Sequence, residues 1–211
     1  MGRIRKIKNA SELIRDYPNF ISKPKNAYFN NHNPLEIEIG AGKGIFLITK
    51  AIKNPDINFI GFEKDSTIVL KALRKINILN TKLNNLLFVN DSAINLNQWL
   101  NKKSIGAIYL NFPDPWPKKR HMKNRLTNSY FLQIYHGLLV DKGIIEFKTD
   151  NIDLYEYSLN SFNEFDKFKQ DFATSNLYQH PNQLQHNIQT EYEQKFIKQN
   201  IAIKKFQFSK H

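Results

Sequence analysis

The 211-residue chain has no cysteine. That excludes disulfides, thiolate metal centres, iron–sulfur clusters and a cysteine nucleophile. No apolar run approaches the roughly 18 residues that a membrane-spanning helix needs. The start, MGRIRKIKNASEL, carries cations but no apolar stretch behind them, so it lacks the pattern of a secretory signal. Acids are scarce: 19 Asp and Glu stand against 31 Lys and Arg, a formal charge of +12. Arginine is scarce as well, supplying 6 of those cations (positions 3, 5, 15, 74, 120 and 125) against 25 lysines. Asn, Ile, Lys and Phe are all abundant, so part of the basicity reflects compositional bias; a positive chain still favours anionic partners such as nucleic acid. The hydrophobic share, 41%, is too high for a disordered chain of this charge. The expectation is a soluble cytoplasmic protein with no membrane partner, built as one domain or one domain plus a tail.

Residues 1–33 are polar and basic, with Pro18, Pro24 and an Asn-rich stretch, and read as a basic N-terminal extension with one short helix. From Pro34 the pattern alternates. Strands are expected at 35–39, 57–62, 86–89, 105–110 and 143–147. Helical spacing fills 43–53, the segment after Asp65, a short turn near 96–100, 127–138 with Thr127 as cap, and 151–162. Such alternation implies an α/β fold with a parallel sheet covered by helices on both faces. Residues 196–208 (FIKQNIAIKKFQF) alternate apolar and polar, which suggests a late, half-exposed strand and a closing antiparallel hairpin. There is no internal repeat, and residues 34–211 read as one domain.

The first strand ends in Glu38-Ile39-Gly40-Ala41-Gly42-Lys43-Gly44. A glycine turn between a strand and a helix lets a ligand approach the backbone. Dinucleotide binders use G-x-G-x-x-G, but the third glycine position holds Ile45, and an acid ahead of the glycines repels a pyrophosphate. Glu38 suits a cationic group instead, such as the amino end of S-adenosylmethionine. Glu63 ends the second strand, where an acid can hold both ribose hydroxyls. Asn90 and Asp91 end the third and can meet an adenine edge; the spacing fits either one.

The fourth strand runs into Asn111-Phe112-Pro113-Asp114-Pro115-Trp116-Pro117-Lys118-Lys119-Arg120-His121. Three prolines stiffen a turn that holds one acid and one large ring. Cations follow from Lys118 to Arg125, with no acid between Pro115 and Val140. A stiff acid-bearing turn beside a basic arm is what an enzyme acting on a nucleic-acid base needs, with phosphate contacts positioning the strand. Arg120 and His121 are read as part of that basic contact, and Trp116 either stacks on a base or packs under the turn.

With FPDPW followed by KKRH at 112–121, the chain resembles the bacterial tRNA (guanine-N7)-methyltransferases. LEIEIGAGKG, GFEKD, FKTDN at 147–151 and TEYEQKF at 190–196 are similar to the other motifs of that family, and the likeness covers essentially the whole chain. Asn124 departs from it, standing where the family often has a further Arg. The resemblance implies a Rossmann-like class I methyltransferase fold: a mostly parallel seven-stranded sheet, helices on both faces and a C-terminal antiparallel hairpin. It implies S-adenosylmethionine as methyl donor, S-adenosylhomocysteine as product and no metal. The partner is tRNA, modified at a variable-loop guanine, usually position 46; no obligate protein partner is expected, and the chain would be a monomer or homodimer. By the same resemblance Glu38, Glu63, Asn90 or Asp91, and Asp114 line the cofactor site, with Gly40 and Gly42 in its loop. Lys118, Asp150, Thr190, Glu191, Tyr192 and Glu193 face the tRNA, and Asp114 is catalytic.

Three other readings compete. Exocyclic-amine methyltransferases carry D/N-P-P-Y/F/W after strand four, but here an acid breaks the doubled proline. A non-catalytic RNA-binding protein with a relict cofactor fold would leave Glu38, Glu63 and Asp114 idle. A nicotinamide oxidoreductase is disfavoured by the glycine spacing and by Glu38.

Overall fold

The structure, a computed structural model, describes residues 5–79 and 82–211. Arg3, part of the expected basic start, lies outside the described residues. The sheet is built from β1 (Phe20–Ile21), β2 (Leu35–Ile39), β3 (Asn58–Phe62), β4 (Leu86–Val89), β5 (Ile105–Asn111), β6 (Leu139–Thr149), β7 (Phe168–Thr174) and β8 (Lys204–Lys210). Their spatial order is β1-β4-β3-β2-β5-β6-β8-β7. The pairs from β1 through β6 are parallel, and β8 lies antiparallel to both β6 and β7. Among the described residues the sheet therefore has eight strands where seven were expected. The additional one is β1, from within the first 33 residues, paired to β4 through Phe20↔Phe88 and Ile21↔Val89.

The helices are α1 (Ala10–Leu13), α2 (Ile45–Lys53), α3 (Ser66–Ile78), α4 (Leu96–Trp99), α5 (Ser129–Leu138), α6 (Ile152–Phe165), α7 (Pro181–Leu184) and α8 (Glu191–Lys198). The starts of α3, α5, α6 and α8 are capped by a short polar side chain that accepts from an otherwise unpaired N–H of the first turn. Asp65 accepts from Thr67, Asn151 from Leu154, and Thr190 from Glu193. Asn128, not the expected Thr127, caps α5 by accepting from the Tyr130 N–H at 3.0 Å. Thr127 is buried, and its hydroxyl meets that of Ser158 at 2.7 Å.

Two apolar layers enclose the sheet. On one face Phe46, Leu47 and Ile48 of α2 and Val69, Leu70 and Leu73 of α3 pack on Phe59, Phe88 and Ala107. On the other, Phe131 and Tyr135 of α5 and Phe162 of α6 meet Ile108, Leu110, Phe147, Phe206 and Phe208. Ala10 and Ile14 are buried in the first layer, so the N-terminal segment shares the core. The alternation read at 196–208 holds only in part. Phe196 to Lys198 finish α8, because Thr190 caps that helix and the Phe196 ring stacks on Phe112, with centroids 5.8 Å apart. The strand begins at Lys204, and β7 and β8 are joined by residues 175–203 rather than by a short turn.

Gly61, in the middle of β3, shows how tight the first layer is. A Cβ there would stand 2.8 Å from the Phe88 ring, 2.9 Å from Ala41 and 2.9 Å from Leu47. Gly106 on β5 meets nothing closer than 3.6 Å. Gly61→Ala should lower unfolding free energy by about 1–3 kcal/mol through overpacking. Gly106→Ala should stay within about 0.5 kcal/mol of the parent, a contrast that urea denaturation measures.

Candidate active site at the strand tips

The chain leaves β2 toward β3 and β4 on one side and returns to β5 on the other, so the carboxyl ends of β2 and β5 part at a topological switch point, the usual ligand site of an open α/β sheet. A cavity of about 740 Å³ opens there, lined by the ends of β2 to β5, the start of α2 and the Thr190–Lys195 segment.

Gly40 and Gly42 form its floor. Both have left-handed φ, +77° and +55°, which side chains resist. A Cβ at Gly40 would meet nothing within 4 Å and one at Gly42 only the Gly40 carbonyl, so both positions leave a cradle open to the cavity. The Gly40 and Ala41 N–H groups donate to the Phe62 carbonyl at 2.8 and 3.0 Å, which locks the loop to β3.

Glu38 is 2% exposed. The Asn111 amide of β5 donates to its Oε1 at 2.8 Å. Its Oε2 and the Asn111 Oδ1 are both buried with no hydrogen-bond partner among the described residues. Burial pushes the Glu38 carboxyl up to about 8, against the pull of the Asn111 hydrogen bond and the Lys148 ammonium. Two orphaned acceptors at the end of a cavity are costly alone and are satisfied by a ligand that brings N–H donors and positive charge. The amino group of S-adenosylmethionine fits that description.

Glu63 is held from both ends, its Oε2 accepting from the Gly42 N–H at 3.2 Å and its Oε1 from the Asp65 N–H at 3.0 Å. Burial raises its carboxyl above the ordinary range, and the two backbone donors oppose that shift. Asp91 lines the cavity, whereas the Asn90 amide turns back to donate to the Glu63 carbonyl at 2.9 Å. Asp91 accepts from the Trp99 indole at 2.7 Å, the Asn95 amide at 2.8 Å and the Ser92 N–H. Burial raises its carboxyl, but these donors outweigh burial and hold it below the usual range.

Asp114 projects into the same cavity, its side chain about half exposed (52%) with the Lys64 ammonium 3.5 Å away. The flanking residues Phe112 and Trp116 have φ of +51° and +43°. Such left-handed non-glycine residues cost roughly 1–3 kcal/mol each and persist only when their surroundings dictate them. Trp116 faces the cavity, with the His121 ring edge-on at 5.7 Å and the Lys64 ammonium at 5.7 Å.

Thr190, Glu191 and Tyr192 form the opposite wall. Glu191 bridges Lys43 and Lys75, each at 2.6 Å; burial nudges its carboxyl up, and the two lysines more than offset this. Glu193 is not in the cavity. It is fully enclosed and ion-paired with the equally enclosed Lys148 of β6 at 2.8 Å, and it accepts from the Tyr178 hydroxyl and the Asn187 amide. Expected to face the tRNA, Glu193 has its carboxylate turned inward and engaged within the protein. Lys118, Arg120 and His121 stand outside the cavity, Lys118 just ahead of a 3-10 turn, Lys119–Asn124, and the other two on it; Lys118 and Arg120 are exposed and His121 is half-buried. Asp150 is half-buried just beyond the end of β6, its carbonyl accepting from Lys204 at 2.9 Å. Among the described residues, no group of three or more His, Cys, Asp or Glu is placed to hold a metal ion.

Sequence reasoning missed Asn111, Lys148, Lys64 and the inward turn of Arg125, which was counted with the basic arm. Asn111 carried a signal, as a polar residue closing the apolar strand IGAIYL.

A family model described as "Putative methyltransferase" matches residues 32–206. A tRNA (guanine-N(7)-)-methyltransferase of Mycoplasma genitalium is 45% identical over 209 residues, covering 99% of both chains. One of Ureaplasma urealyticum serovar 10 is 50% identical over 183 residues, covering 85% of this chain and 81% of that one. In fold, the chain is similar to the crystal structure of the 16S rRNA methyltransferase KamB, with a TM-score of 0.62 at 12% identity, covering 99% of this chain and 96% of that one.

Glu38 gives the ligand-free protein a distinct pH dependence. Its folded value near 8 lies above an unfolded value near 4.5, so between the two the folded state holds a proton that the unfolded state releases. This contribution is complete below the lower value and is lost as pH rises toward 8. Thermal stability should therefore fall from pH 5 to 8 more steeply in the parent than in Glu38→Gln. In calorimetry at pH 7, binding of S-adenosylmethionine should release protons, seen as a buffer-dependent heat that vanishes in Glu38→Gln.

Proposed function

The chain belongs to the tRNA (guanine-N(7)-)-methyltransferase family, and we propose that it acts in the cytoplasm on the guanine at position 46 in the variable loop of tRNA. The reaction moves a methyl group from S-adenosylmethionine to N7 of a guanine in tRNA. The observation that carries this reading is the meeting, in one cavity, of the orphaned acceptors on Glu38 and Asn111 with the stiff turn that presents Asp114.

Bound S-adenosylmethionine supplies an electrophilic methyl on a sulfonium centre. Glu38 and Asn111 would hold its amino end, Glu63 its ribose hydroxyls, and Asp91 its adenine side. The carboxylate oxygens of Glu63 accept one backbone donor each and retain lone pairs for hydroxyls. Guanine N7 has a free lone pair at neutral pH, so the attack needs no proton removed first and no general base. As the N7–methyl bond forms and the sulfur–methyl bond breaks, its electron pair returns to sulfur and positive charge appears on the purine. The chain's tasks are alignment and a field that tolerates that charge. Asp114 serves the second task and accepts from the guanine edge. Lys118, Lys119 and Arg120 lie exposed beyond the turn, free for phosphates, and Asp150 and the Thr190–Tyr192 wall border the entering strand.

The deciding assay uses a labelled methyl donor with bulk tRNA lacking 7-methylguanine, alongside a tRNA whose variable-loop guanine is replaced. Label should enter the first and not the second, and chain cleavage specific for 7-methylguanine should map it to position 46. Label on an exocyclic nitrogen would sink the N7 reading. Asp114→Ala should lower kcat by roughly 10²–10³-fold, the scale of one preorganised electrostatic group. In titrations against salt, log affinity for tRNA should fall with a slope of about −0.7 to −0.9 per phosphate neutralised. Substituting Lys118, Lys119 or Arg120 by Ala should flatten that slope.

A further inference from the structure

Of the cations between Lys118 and Arg125, the last behaves differently. Lys118, Lys119, Arg120 and Lys123 are exposed, whereas Arg125 is 6% exposed. Its Nε donates to the Pro115 carbonyl at 2.9 Å and its Nη2 to the Trp116 carbonyl at 3.4 Å. Its guanidinium lies 4.3 Å from the ring centre of Tyr157, on α6. The chain on either side of it is pinned too: the Arg125 N–H donates to the Met122 carbonyl and its own carbonyl accepts from Asn128, the cap of α5.

The turn needs such a partner. Pro113, Pro115 and Pro117 bring no N–H, so the segment cannot bond its own carbonyls in a regular ladder. Phe112 and Trp116 hold left-handed φ that the prolines do not impose. Among the described residues, the hydrogen-bond partner of the Asp114 carboxylate is the exposed Lys64 ammonium at 3.5 Å, so its carboxylate is placed chiefly by its backbone. A planar guanidinium with several donors in fixed geometry can span two successive carbonyls, and a lysine cannot reproduce that fork.

We infer that Arg125 is a positioning residue that braces the Asp114 turn from behind, with Tyr157 as its seat, and that it makes no phosphate contact. The inference rests on the proposed role of Asp114. Misplacing a reacting group by about 1 Å can cost on the order of 100-fold in rate, so the brace should register in turnover.

The test compares Arg125→Lys, Arg125→Gln and Tyr157→Leu with the parent, each labelled with 5-fluorotryptophan; the chain has two tryptophans, Trp99 and Trp116. In both Arg125 variants kcat should fall about 10- to 100-fold, while KM for tRNA stays within about twofold and the salt slope of tRNA binding is unchanged. The ¹⁹F resonance of Trp116 should shift or narrow, with that of Trp99 unmoved, which separates a loosened turn from a loosened fold. Tyr157→Leu should move the same resonance, and it keeps the inference open to refutation if Arg125→Gln does not fold. Turnover within twofold of the parent in both Arg125 variants would overturn the inference. So would a loss carried by KM for tRNA with a flattened salt slope, the mark of a phosphate contact. If the parent itself transfers no methyl to tRNA, the functional reading fails, and the Trp116 resonance alone then decides the brace.

Discussion

The ion pair between Lys148 and Glu193 is the constraint on which the cavity depends. Both side chains are fully withdrawn from solvent. Removing two charges from water costs several kcal/mol per ion, recovered only when the pair is close and the remaining hydrogen-bonding positions are filled. They are filled here: Lys148 also donates to the Asn187 side chain and the Ile188 carbonyl, and Glu193 accepts from Tyr178 and Asn187. One lysine in the sheet thus fastens residues 187–193, which contain no strand of their own. That fastening sets Thr190 and Tyr192 across from the glycine loop. The same ammonium lies near enough to Glu38 to draw its carboxyl toward the charged form. Cofactor wall and C-terminal segment therefore answer to one buried charge.

The site combines two mechanical regimes. Its acids sit on elements with little freedom: Glu38 and Glu63 at strand ends, Asp91 under three donors, and Asp114 on a proline turn. The exposed cations beyond the turn are long side chains in solvent. Methyl transfer to an atom with a free lone pair rewards alignment, which the first set provides. Holding a polyanion of irregular shape rewards adaptable contacts, which the second provides. The same division separates the exposed Lys118, Lys119 and Arg120 from Arg125, which points inward.

The order of strands and helices from Pro34 to Phe162 was legible because apolar periodicity reports burial, and burial in a parallel sheet is strong. The glycine loop, Glu63 and the Asp114 turn were legible because they are contiguous motifs. What escaped was set by contacts distant in sequence. β1 has two residues and no pattern of its own; it exists because β4 offers a free edge. Phe196 alternates like a strand residue, yet a cap six residues earlier and the Phe112 ring place it in a helix. Glu193 sits in a motif whose neighbours face the cavity, and only the helical rotation of α8 turns it to Lys148. Arg125 reads as one more cation in a basic run, and no local signal distinguishes it from Arg120.

The two outermost strands decide how the molecule can meet its own copies. A sheet edge offers unpaired backbone groups that invite another strand. At one end the edge is β1, two residues long, too short to nucleate a pairing. At the other it is β7, whose exposed Lys169, Gln170 and Asp171 put charge and polarity along the open side, with a register shift between Gln170 and Phe172. Continuous growth of the sheet from chain to chain is disfavoured at both ends. Crowded synthesis of this basic, aromatic-rich chain therefore carries a built-in guard against fibrous self-assembly.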